Sequence, residues 1–384
     1  MNSLFVFNPE NDLALANGTP YFTPPKMAQK IRFDLQMLPF WLAEGGDFIY
    51  APKSIENQAF IESVKSFLPS KSEINLRYDD LGELEITPWG WSEALRYEFS
   101  TKIDKVTDFN LQKLRDLSSR ETVTEVYNYF SIHSAMNLPT SPRLCKTLEE
   151  VKQFVADNQN CMIKAPWSGS GKGVFNVNTE NFQVYLPWIK GTLKKQGSIL
   201  CEVFLNKVQD FAMEFYSDGE SVRFVGYSVF ENNSRFSYEQ AIVANEKGLR
   251  SYLEQYIAGE QLDYTKVALI CCLNEIIPQE YKGYFGVDMM LYKDENGQIK
   301  IMPCIELNLR MTMGLVSCKL GNDLMSDGKR GIMKILFHPD VEAREAYIKT
   351  LSQPQFVDGK LENGSLLLTP IYRDSVYTAV LTVS

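Results

Sequence analysis

The most informative stretch of the chain runs from residue 162 to residue 174: Met162-Ile-Lys164-Ala-Pro-Trp-Ser168-Gly-Ser-Gly171-Lys172-Gly173-Val174. An apolar strand ends in a lysine and continues into a loop of small residues. Glycines at alternate positions let backbone amides approach phosphate oxygens, and a lysine on a rigid strand supplies a fixed positive charge. The segment indicates a phosphate-binding loop; the alternative is a flexible hairpin loop with a solvated lysine.

The pattern differs from three common nucleotide-binding loops. A Walker A motif needs glycine at the position of Pro166 and Ser or Thr at the position of Gly173. The Rossmann pattern G-x-G-x-x-G fails at Val174. Protein kinases place the glycine loop before the lysine and carry an H-R-D-type loop, which this sequence lacks.

A second segment, Ser198 to Leu205, is an apolar strand that carries Glu202 near its end. An acidic residue followed by a short hinge can offer backbone groups to an adenine edge and a carboxylate to a ribose. Asp210 and Glu214 follow on the next predicted strand. By itself this signal is weak, because Glu202 could equally be a surface residue at a strand end.

The third segment carries Glu306, Asn308 and Arg310 at alternate positions. An extended backbone places all three side chains on one face. Upstream, Asn296-Gly297 is a strong hairpin signal whose simple register pairs Asp288 one residue short of Glu306.

A bulge beside Pro303 would bring Asp288 opposite Glu306. Two carboxylates and an amide oxygen then make a hard-oxygen site suited to Mg²⁺. Arg310 could stabilise a developing anion beside the metal. The alternative is a solvent-facing edge strand with a salt bridge.

Composition narrows the chemistry further. The 384 residues carry a net charge of −9, which argues against a general nucleic-acid binder. The two histidines, His133 and His338, exclude a multi-histidine metal site. The seven cysteines lack a C-x-x-C pattern and suggest buried thiols in a cytoplasmic protein. We expect neither a signal peptide nor a membrane-spanning segment.

The chain divides into an N-terminal α/β unit with parallel strands, residues 1–118, and a second domain, residues 119–384. Strand and helix alternate from Ser3 to Phe67, whereas residues 70–107 show no clear pattern apart from a packed turn at Trp89-Gly-Trp91. Thr147 and Glu150 form a capping box before a helix over 148–157. Within the second domain we expect a nucleotide lid over about 140–205 and a metal-binding subdomain over about 206–384.

Taken in this order, the lysine with its glycine loop, the Glu202 hinge, Asp288 and the E-x-N-x-R segment resemble the ATP-grasp superfamily. The superfamily includes D-alanine:D-alanine ligases, glutathione synthetases and biotin carboxylases. The resemblance covers about residues 119–320. It implies the ATP-grasp fold, a mixture of α/β and α+β structure, preceded by a smaller N-terminal α/β domain.

The resemblance also implies residue roles. Lys164 would contact the α and β phosphates and act as a catalytic residue with Arg310, which would face the acyl phosphate. Asp210 would contact the ribose, with Gln209 as the competing alignment. Relatives usually carry a further phosphate-binding lysine upstream; its place here falls to Arg120. The loop over the β and γ phosphates would be formed by Ser168, Gly169, Ser170, Gly171, Lys172 and Gly173. Adenine would be held by Glu202, Phe204 and Leu205. One or two Mg²⁺ ions, or Mn²⁺, would be bound by Asp288, Glu306 and Asn308.

The implied reaction is a Mg²⁺/ATP-dependent ligation of a carboxylate to an amine through an acyl phosphate. The substrates would be small molecules or short peptides, and a homodimer stays open. Two alternatives remain: a small-molecule kinase of the inositol phosphate kinase kind, and a nucleotide-binding module without turnover. A kinase would need a basic acceptor pocket, for which the candidates are Arg223, Arg235, Lys247 and Arg250. A biotin carboxylase is disfavoured because no acidic residue follows Met313 at the expected place.

Overall fold

The computed structural model describes residues 2–103, 110–169, 173–233, 238–277 and 281–384. Within these residues the chain forms three β-sheets with helices packed on them. No helix among the described residues has the length and apolar character needed to cross a membrane.

The first sheet has four parallel strands in the order β3-β2-β1-β4. Its elements are β1 (Ser3–Val6), β2 (Phe48–Tyr50), β3 (Asn75–Arg77) and β4 (Glu85–Pro88), with α1 (Asn11–Asn17), α2 (Lys26–Asp34), α3 (Ile55–Phe67), α4 (Glu93–Phe99) and α5 (Leu111–Leu117). The next helix, α6 (Thr122–His133), packs against the third sheet described below. The predicted parallel α/β unit is therefore confirmed. Residues 70–107, which show no clear sequence pattern, contain β3, β4 and α4. The two strands are too short for the alternation of apolar and polar residues to be recognised.

The second sheet is antiparallel, in the order β5-β8-β6-β7. Its elements are β5 (Arg143–Cys145), α7 (Leu148–Asn158), β6 (Asn160–Lys164), β7 (Val174–Asn178), α8 (Phe182–Gln196) and β8 (Ile199–Val203). The capping box at Thr147 and Glu150 is present at the start of α7. The two helices and four strands share one apolar core, so this unit has a core of its own.

The third sheet has nine antiparallel strands in the order β13-β12-β9-β10-β11-β14-β17-β16-β15. Its elements are β9 (Asn206–Asp218), β10 (Val222–Asn232), β11 (Tyr238–Val243), α9 (Glu246–Leu253), α10 (Gly259–Ile276), β12 (Lys282–Lys293), β13 (Ile299–Asn308), α11 (Met313–Leu324), β14 (Gly331–Phe337), α12 (Val341–Thr350), β15 (Gln355–Val357), β16 (Lys360–Leu367) and β17 (Tyr377–Val383).

The N-terminal sheet is joined to the end of β13 by backbone contacts. Gly90, just after β4, forms a β-bridge with Arg310, and the Met311 amide donates to the Trp89 carbonyl at 2.7 Å. The Asn8 side chain donates to the Gly90 carbonyl at 2.7 Å and accepts from its amide at 3.2 Å. The segment that leaves β13 is thereby held against the N-terminal domain, which fixes where Arg310 lies.

Candidate active site

The β12–β13 hairpin brings Asp288 directly opposite Glu306. Met290 lies opposite Met302, so one residue on β12 faces three on β13 between these two pairs. The irregularity includes Pro303, as the sequence predicted. The bulge therefore puts two carboxylates side by side where a regular hairpin would separate them.

The paired carboxylates repel each other in a buried setting. Burial first, and then the negative charges of Glu306 and Glu214, raise the pKa of Asp288 to about 8, while Arg310 and a hydrogen bond from Asn308 act in the opposite direction. A bound cation would remove this penalty, and the oxygen donors match those that Mg²⁺ prefers. Among the described residues, no group of three or more His, Cys, Asp or Glu side chains could hold a metal ion. Asn308 remains a predicted ligand beside the two carboxylates.

Arg310 is held by Asp12 from the N-terminal domain. Its Nε and Nη2 atoms lie 2.9 Å from the two carboxylate oxygens of Asp12, and its Nη1 donates to the Met311 carbonyl at 3.2 Å. Burial lowers the pKa of Arg310, but Asp12 and Glu306 outweigh it and the net shift is upward. The guanidinium is therefore a permanent, oriented cation at the end of the carboxylate row.

Arg120 connects the loop after β6 to the carboxylate row. This buried side chain donates to the Ala165 carbonyl at 2.9 Å and to the Ser168 hydroxyl at 2.6 Å. Its Nη2 lies 2.8 Å from Oε1 of Glu306. Arg120 is thus within reach of both the loop and the predicted metal ligands, where a charge could meet a phosphate.

Lys164 and Glu202 form a buried ion pair on adjacent strands. The Nζ of Lys164 lies 2.5 Å from Oε2 of Glu202 and 3.4 Å from the Ile305 carbonyl. Within the residues that the structure describes, Oε1 of Glu202 is buried and receives no hydrogen bond. An unpaired buried acceptor is costly and suits a ligand that brings a donor, such as the amino group of adenine.

Neither a protein-family model nor a curated protein sequence matches the chain. Solved structures are similar over its whole length. The biotin carboxylase of Campylobacter jejuni, complexed with β,γ-ATP, has a TM-score of 0.56 at 11% identity, with 100% of this chain and 87% of that chain covered. The N5-carboxyaminoimidazole synthetase of Staphylococcus aureus, complexed with ADP, has 0.51 at 14%, with 100% and 93% covered.

A third neighbour is the biotin carboxylase domain dimer of the Hydrogenobacter thermophilus 2-oxoglutarate carboxylase, in complex with MgADP, ADP and bicarbonate. Its TM-score is 0.50 at 12% identity, with 100% of this chain and 86% of that chain covered. All three neighbours are ATP-grasp enzymes. The chain has the ATP-grasp fold. The fold predicted from the sequence is thereby confirmed.

The glycine loop of this ATP-grasp fold lies against the N-terminal domain. A Cβ at Gly169 would lie 3.5 Å from that of Asp12, and one at Gly173 would collide with the Ser168 side chain at 2.5 Å. The Ala165 amide donates to the Gly173 carbonyl at 2.8 Å, which closes the loop at its base. The loop residues Ser170, Gly171 and Lys172 lie outside the described residues.

The predicted adenine hinge connects β8 to β9. The Phe204 amide donates to the Asn160 carbonyl at 3.1 Å, while the Phe204 side chain is 43% exposed. Leu205 follows in the same irregular stretch. An exposed ring and irregular backbone thus lie beside the buried Glu202.

The sequence left two candidates for the ribose contact, and their side chains have different surroundings. Asp210 accepts hydrogen bonds from Lys207 at 2.6 Å and from Asn232 at 3.1 Å. Gln209 donates to the Phe230 carbonyl at 3.0 Å and accepts from a tyrosine hydroxyl of α9 at 3.1 Å. Both ends of Gln209 are committed to internal contacts, whereas Lys207 and Asn232 both bind the Oδ2 atom of Asp210.

A small cavity marks where the predicted groups converge. Its volume is about 10 Å³, room for about one water molecule. It is lined by the loop after β6, by α1 and by the end of β13, including Asp12, Ser168, Glu306, Asn308 and Arg310. The structure thus gathers Ser168 of the predicted phosphate loop, two predicted metal ligands and Arg310 around one point.

The sequence patterns assigned no role to two further candidate functional residues. Asp12 lies in the first turn of α1, where the sequence predicted only turns, and its separation of 298 positions from Arg310 means that no local pattern predicts the pair. Glu214 is fully buried on β9, where it accepts from Ser228 at 3.1 Å and Thr312 at 2.9 Å. The alternation of β9 could have placed Glu214 on the buried face, but no spacing rule identifies its partners.

Among the described residues, the basic side chains that a kinase pocket would need do not gather. Arg250 is bound to Asp263 by two contacts of 2.7 and 2.8 Å, and Lys247 lies 3.7 Å from Asp327 on the surface. Arg223 lines a separate large cavity, and Arg235 lies outside the described residues.

Proposed function

We propose that this chain is a Mg²⁺/ATP-dependent ligase that joins a carboxylate to an amine through an acyl phosphate and releases ADP and phosphate. The observation that carries the proposal is the bulged hairpin, which sets Asp288 against Glu306 at the start of a row that ends in the oriented Arg310. Carboxylates for a cation and a fixed guanidinium for an anion are what phosphoryl transfer to a carboxylate requires.

In this proposal the nucleotide lies between the lid sheet and β12–β13. Lys164 leaves its contact with Glu202 for the α and β phosphates, and the loop of residues 168–173 covers the β and γ phosphates. Glu202 accepts from adenine beside Phe204 and Leu205, and Asp210 contacts the ribose. Arg120, already between the loop and Glu306, supplies a further charge to the phosphates.

Asp288, Glu306 and Asn308 would hold one or two Mg²⁺ ions, or Mn²⁺. When bound, the ion neutralises phosphate charge and orients the transferred group. The raised pKa of Asp288 supports this assignment, because burial and, after it, the neighbouring charge of Glu306 disfavour the ionised carboxylate when no cation is near.

The reaction then has two steps. An oxygen of the substrate carboxylate attacks the γ-phosphorus, and the bond to the β-phosphate oxygen breaks to give an acyl phosphate and ADP. The amine attacks the acyl carbon, loses a proton and expels phosphate. Arg310 stabilises the tetrahedral oxyanion, and Asp12 holds its guanidinium in orientation. No histidine is needed, in accord with a buried His338 bound to Thr378 and a His133 that stacks on Tyr129.

The proposal includes a cytoplasmic location and no nucleic-acid partner. All seven cysteines are free, as expected in a reducing compartment. The net charge of −9 disfavours binding to a phosphate backbone. A homodimer is part of the proposal only because one structural neighbour is described as a dimer, and sedimentation analysis would test it.

The test is to incubate the protein with Mg²⁺-ATP and a library of carboxylates that includes bicarbonate, each with and without amines. ADP release that needs both substrates supports the ligase. A phosphorylated alcohol with ADP would instead support a kinase, and AMP with pyrophosphate would contradict both.

A further inference from the structure

A second cavity lies on the other side of Arg310 from the predicted metal ligands. Its volume is about 1140 Å³, and it lies between β4 of the N-terminal sheet and the ends of β9 and β12. Pockets for drug-sized ligands usually measure roughly 300–1000 Å³. The cavity is therefore larger than a single amino acid or another small amine would need.

Two strand edges form its walls. All residues from Gly82 to Trp91 line one side. Within the described part of the chain, β4 is the outermost strand of its sheet as far as Pro88, while Trp89 and Gly90 pair with the segment after β13. Residues 281–284 line the other side, where β12 has not yet met β13, since their pairing begins at Gly286 opposite Asn308. An open strand edge is a template for a further extended chain.

The strand register gives the length of such a chain. Tyr284 and Lys282, at the outer end of the cavity, precede Asp288 by four and six residues on β12. At about 3.3 Å per residue they lie roughly 13–20 Å from it. An extended peptide of about four to six residues spans this distance.

The charged side chains that line the cavity indicate the charge of the peptide that would bind there. Arg310 is already paired with Asp12, so the remaining cations of the lining are Arg223, over the ring of Tyr216 at 4.8 Å, and Lys282. Five carboxylates line the cavity beside these two cations: Glu44, which lies 3.9 Å from Lys319, Asp47 and Asp218, which accept hydrogen bonds from backbone amides, and Glu83 and Glu85. An acidic lining attracts cationic ligands and repels anionic ones.

Aromatic side chains give the cavity an apolar floor. Trp89 and Trp91 are buried in its wall, and Tyr216 and Tyr284 meet edge to face at 4.8 Å. Such surfaces hold the aliphatic stems of long basic side chains while their charged ends reach the carboxylates.

We propose that this cavity binds the amine substrate, and that this substrate is an extended peptide of net positive charge whose reacting amine lies beside Arg310. The role of the peptide as a nucleophile rests on the proposed ligase function, but its binding does not.

The test measures binding by calorimetry without ATP. The probes are a lysine-rich pentapeptide, a glutamate-rich pentapeptide of equal length, and lysine amide. We expect the lysine-rich pentapeptide to bind at least tenfold more tightly than either of the others. Equal affinity for the two peptides, or tighter binding of lysine amide, would overturn the proposal.

The double variant Glu83→Gln/Glu85→Gln should weaken binding of the lysine-rich peptide by about three- to tenfold, as for two partly exposed ion pairs. The matched variant Glu56→Gln/Glu62→Gln, on exposed positions of α3, should change it less than twofold. Equal effects would contradict binding along β4, and circular dichroism checks that both variants fold. If the protein ligated a small amine but bound no peptide, the peptide inference would be wrong and the ligase function would stand. If it bound the peptide but formed no ADP, the ligase function would be wrong and peptide binding would stand.

Discussion

Asp12 and Arg310 are 298 residues apart in the chain and form a two-point ion pair with both nitrogen–oxygen distances at 2.9 Å. The pair joins the N-terminal domain to the end of β13, beside the cavity shared with Ser168 and Glu306. A fork held at two points keeps its orientation, which a catalytic cation needs before the charge of the transition state develops.

Replacing either partner should therefore affect turnover more than nucleotide binding. Arg310→Ala should lower kcat by about 10²–10³-fold, the usual effect of losing a donor to a developing oxyanion. Arg310→Lys should not restore kcat, because lysine lacks the planar fork. Asp12→Asn should lower kcat by about tenfold with the KM for ATP within about twofold, since it acts only through Arg310.

Steady-state kinetics with varied ATP separates the two parameters. Asp157→Asn, at an exposed position of α7, serves as the control and should behave like the wild type. If Asp12→Asn raised KM and left kcat unchanged, Asp12 would have to be reassigned to substrate binding.

Glu306→Gln should lower metal-dependent ATP turnover by at least about 100-fold while the fold stays intact. Glutamine can still accept from Arg120, so the contact that supports the loop is kept, but the charge that would hold the metal is lost. Titration with Mg²⁺ checks this, and the apparent affinity for the ion should fall with turnover. Glu295→Gln, exposed in the turn of the same hairpin, is the control. Unchanged turnover in Glu306→Gln would remove this residue from the site.

Lys164→Ala should mainly raise the apparent KM for ATP, because the residue is assigned to the α and β phosphates. We expect an increase of about tenfold or more, in line with the loss of a charge-assisted contact. Equilibrium binding of a labelled ATP analogue measures the effect without turnover. Lys152→Ala, exposed on α7 of the same unit, should bind normally. Wild-type affinity in Lys164→Ala would end its assignment to the phosphates.

Glu214 should make the protein less stable as the pH rises. Burial raises its pKa from 4.5 to about 7, although hydrogen bonds from Thr312 and Ser228 and the charge of Arg310 oppose the shift. The folded state keeps this proton between about pH 4.5 and pH 7, whereas the unfolded state has lost it. The free energy of unfolding therefore falls over this window, on the order of 2–3 kcal/mol for this group.

Denaturant unfolding at a series of pH values tests the sign. The stability of the wild type relative to Glu214→Gln should fall from pH 4.5 to pH 7, because glutamine does not titrate. Glu180→Gln, at an exposed position, should run parallel to the wild type. A difference that stays flat or rises with pH would show that Glu214 is ionised in the folded protein.

The sequence predicted the features that depend on nearby residues. The β12–β13 hairpin followed from a turn signal, but Lys293 lies opposite Ile299, one residue off the simple register, and the irregularity that includes Pro303 shifts the pairing by two residues to set Asp288 opposite Glu306. The capping box at Thr147 followed from a spacing of three. Both features involve residues that are close together in the chain.

Contacts between domains could not be predicted in the same way. The position of Asp12 relative to Arg310 depends on the hydrogen bond between Asn8 and Gly90 and on the β-bridge between Gly90 and Arg310. The open edge of β4 depends on the strand order of a sheet whose strands are three or four residues long. Such features arise from packing across hundreds of residues, which periodicity does not encode.

The most direct test of the ligase is the fate of a carboxylate oxygen. A carboxylate that supports ADP release is prepared with ¹⁸O in both oxygens, and the phosphate that is released is analysed by ³¹P NMR. The account predicts one ¹⁸O atom in each phosphate, because the carboxylate oxygen attacks the γ-phosphorus and stays with it when the amine breaks the acyl bond. Unlabelled phosphate would contradict it.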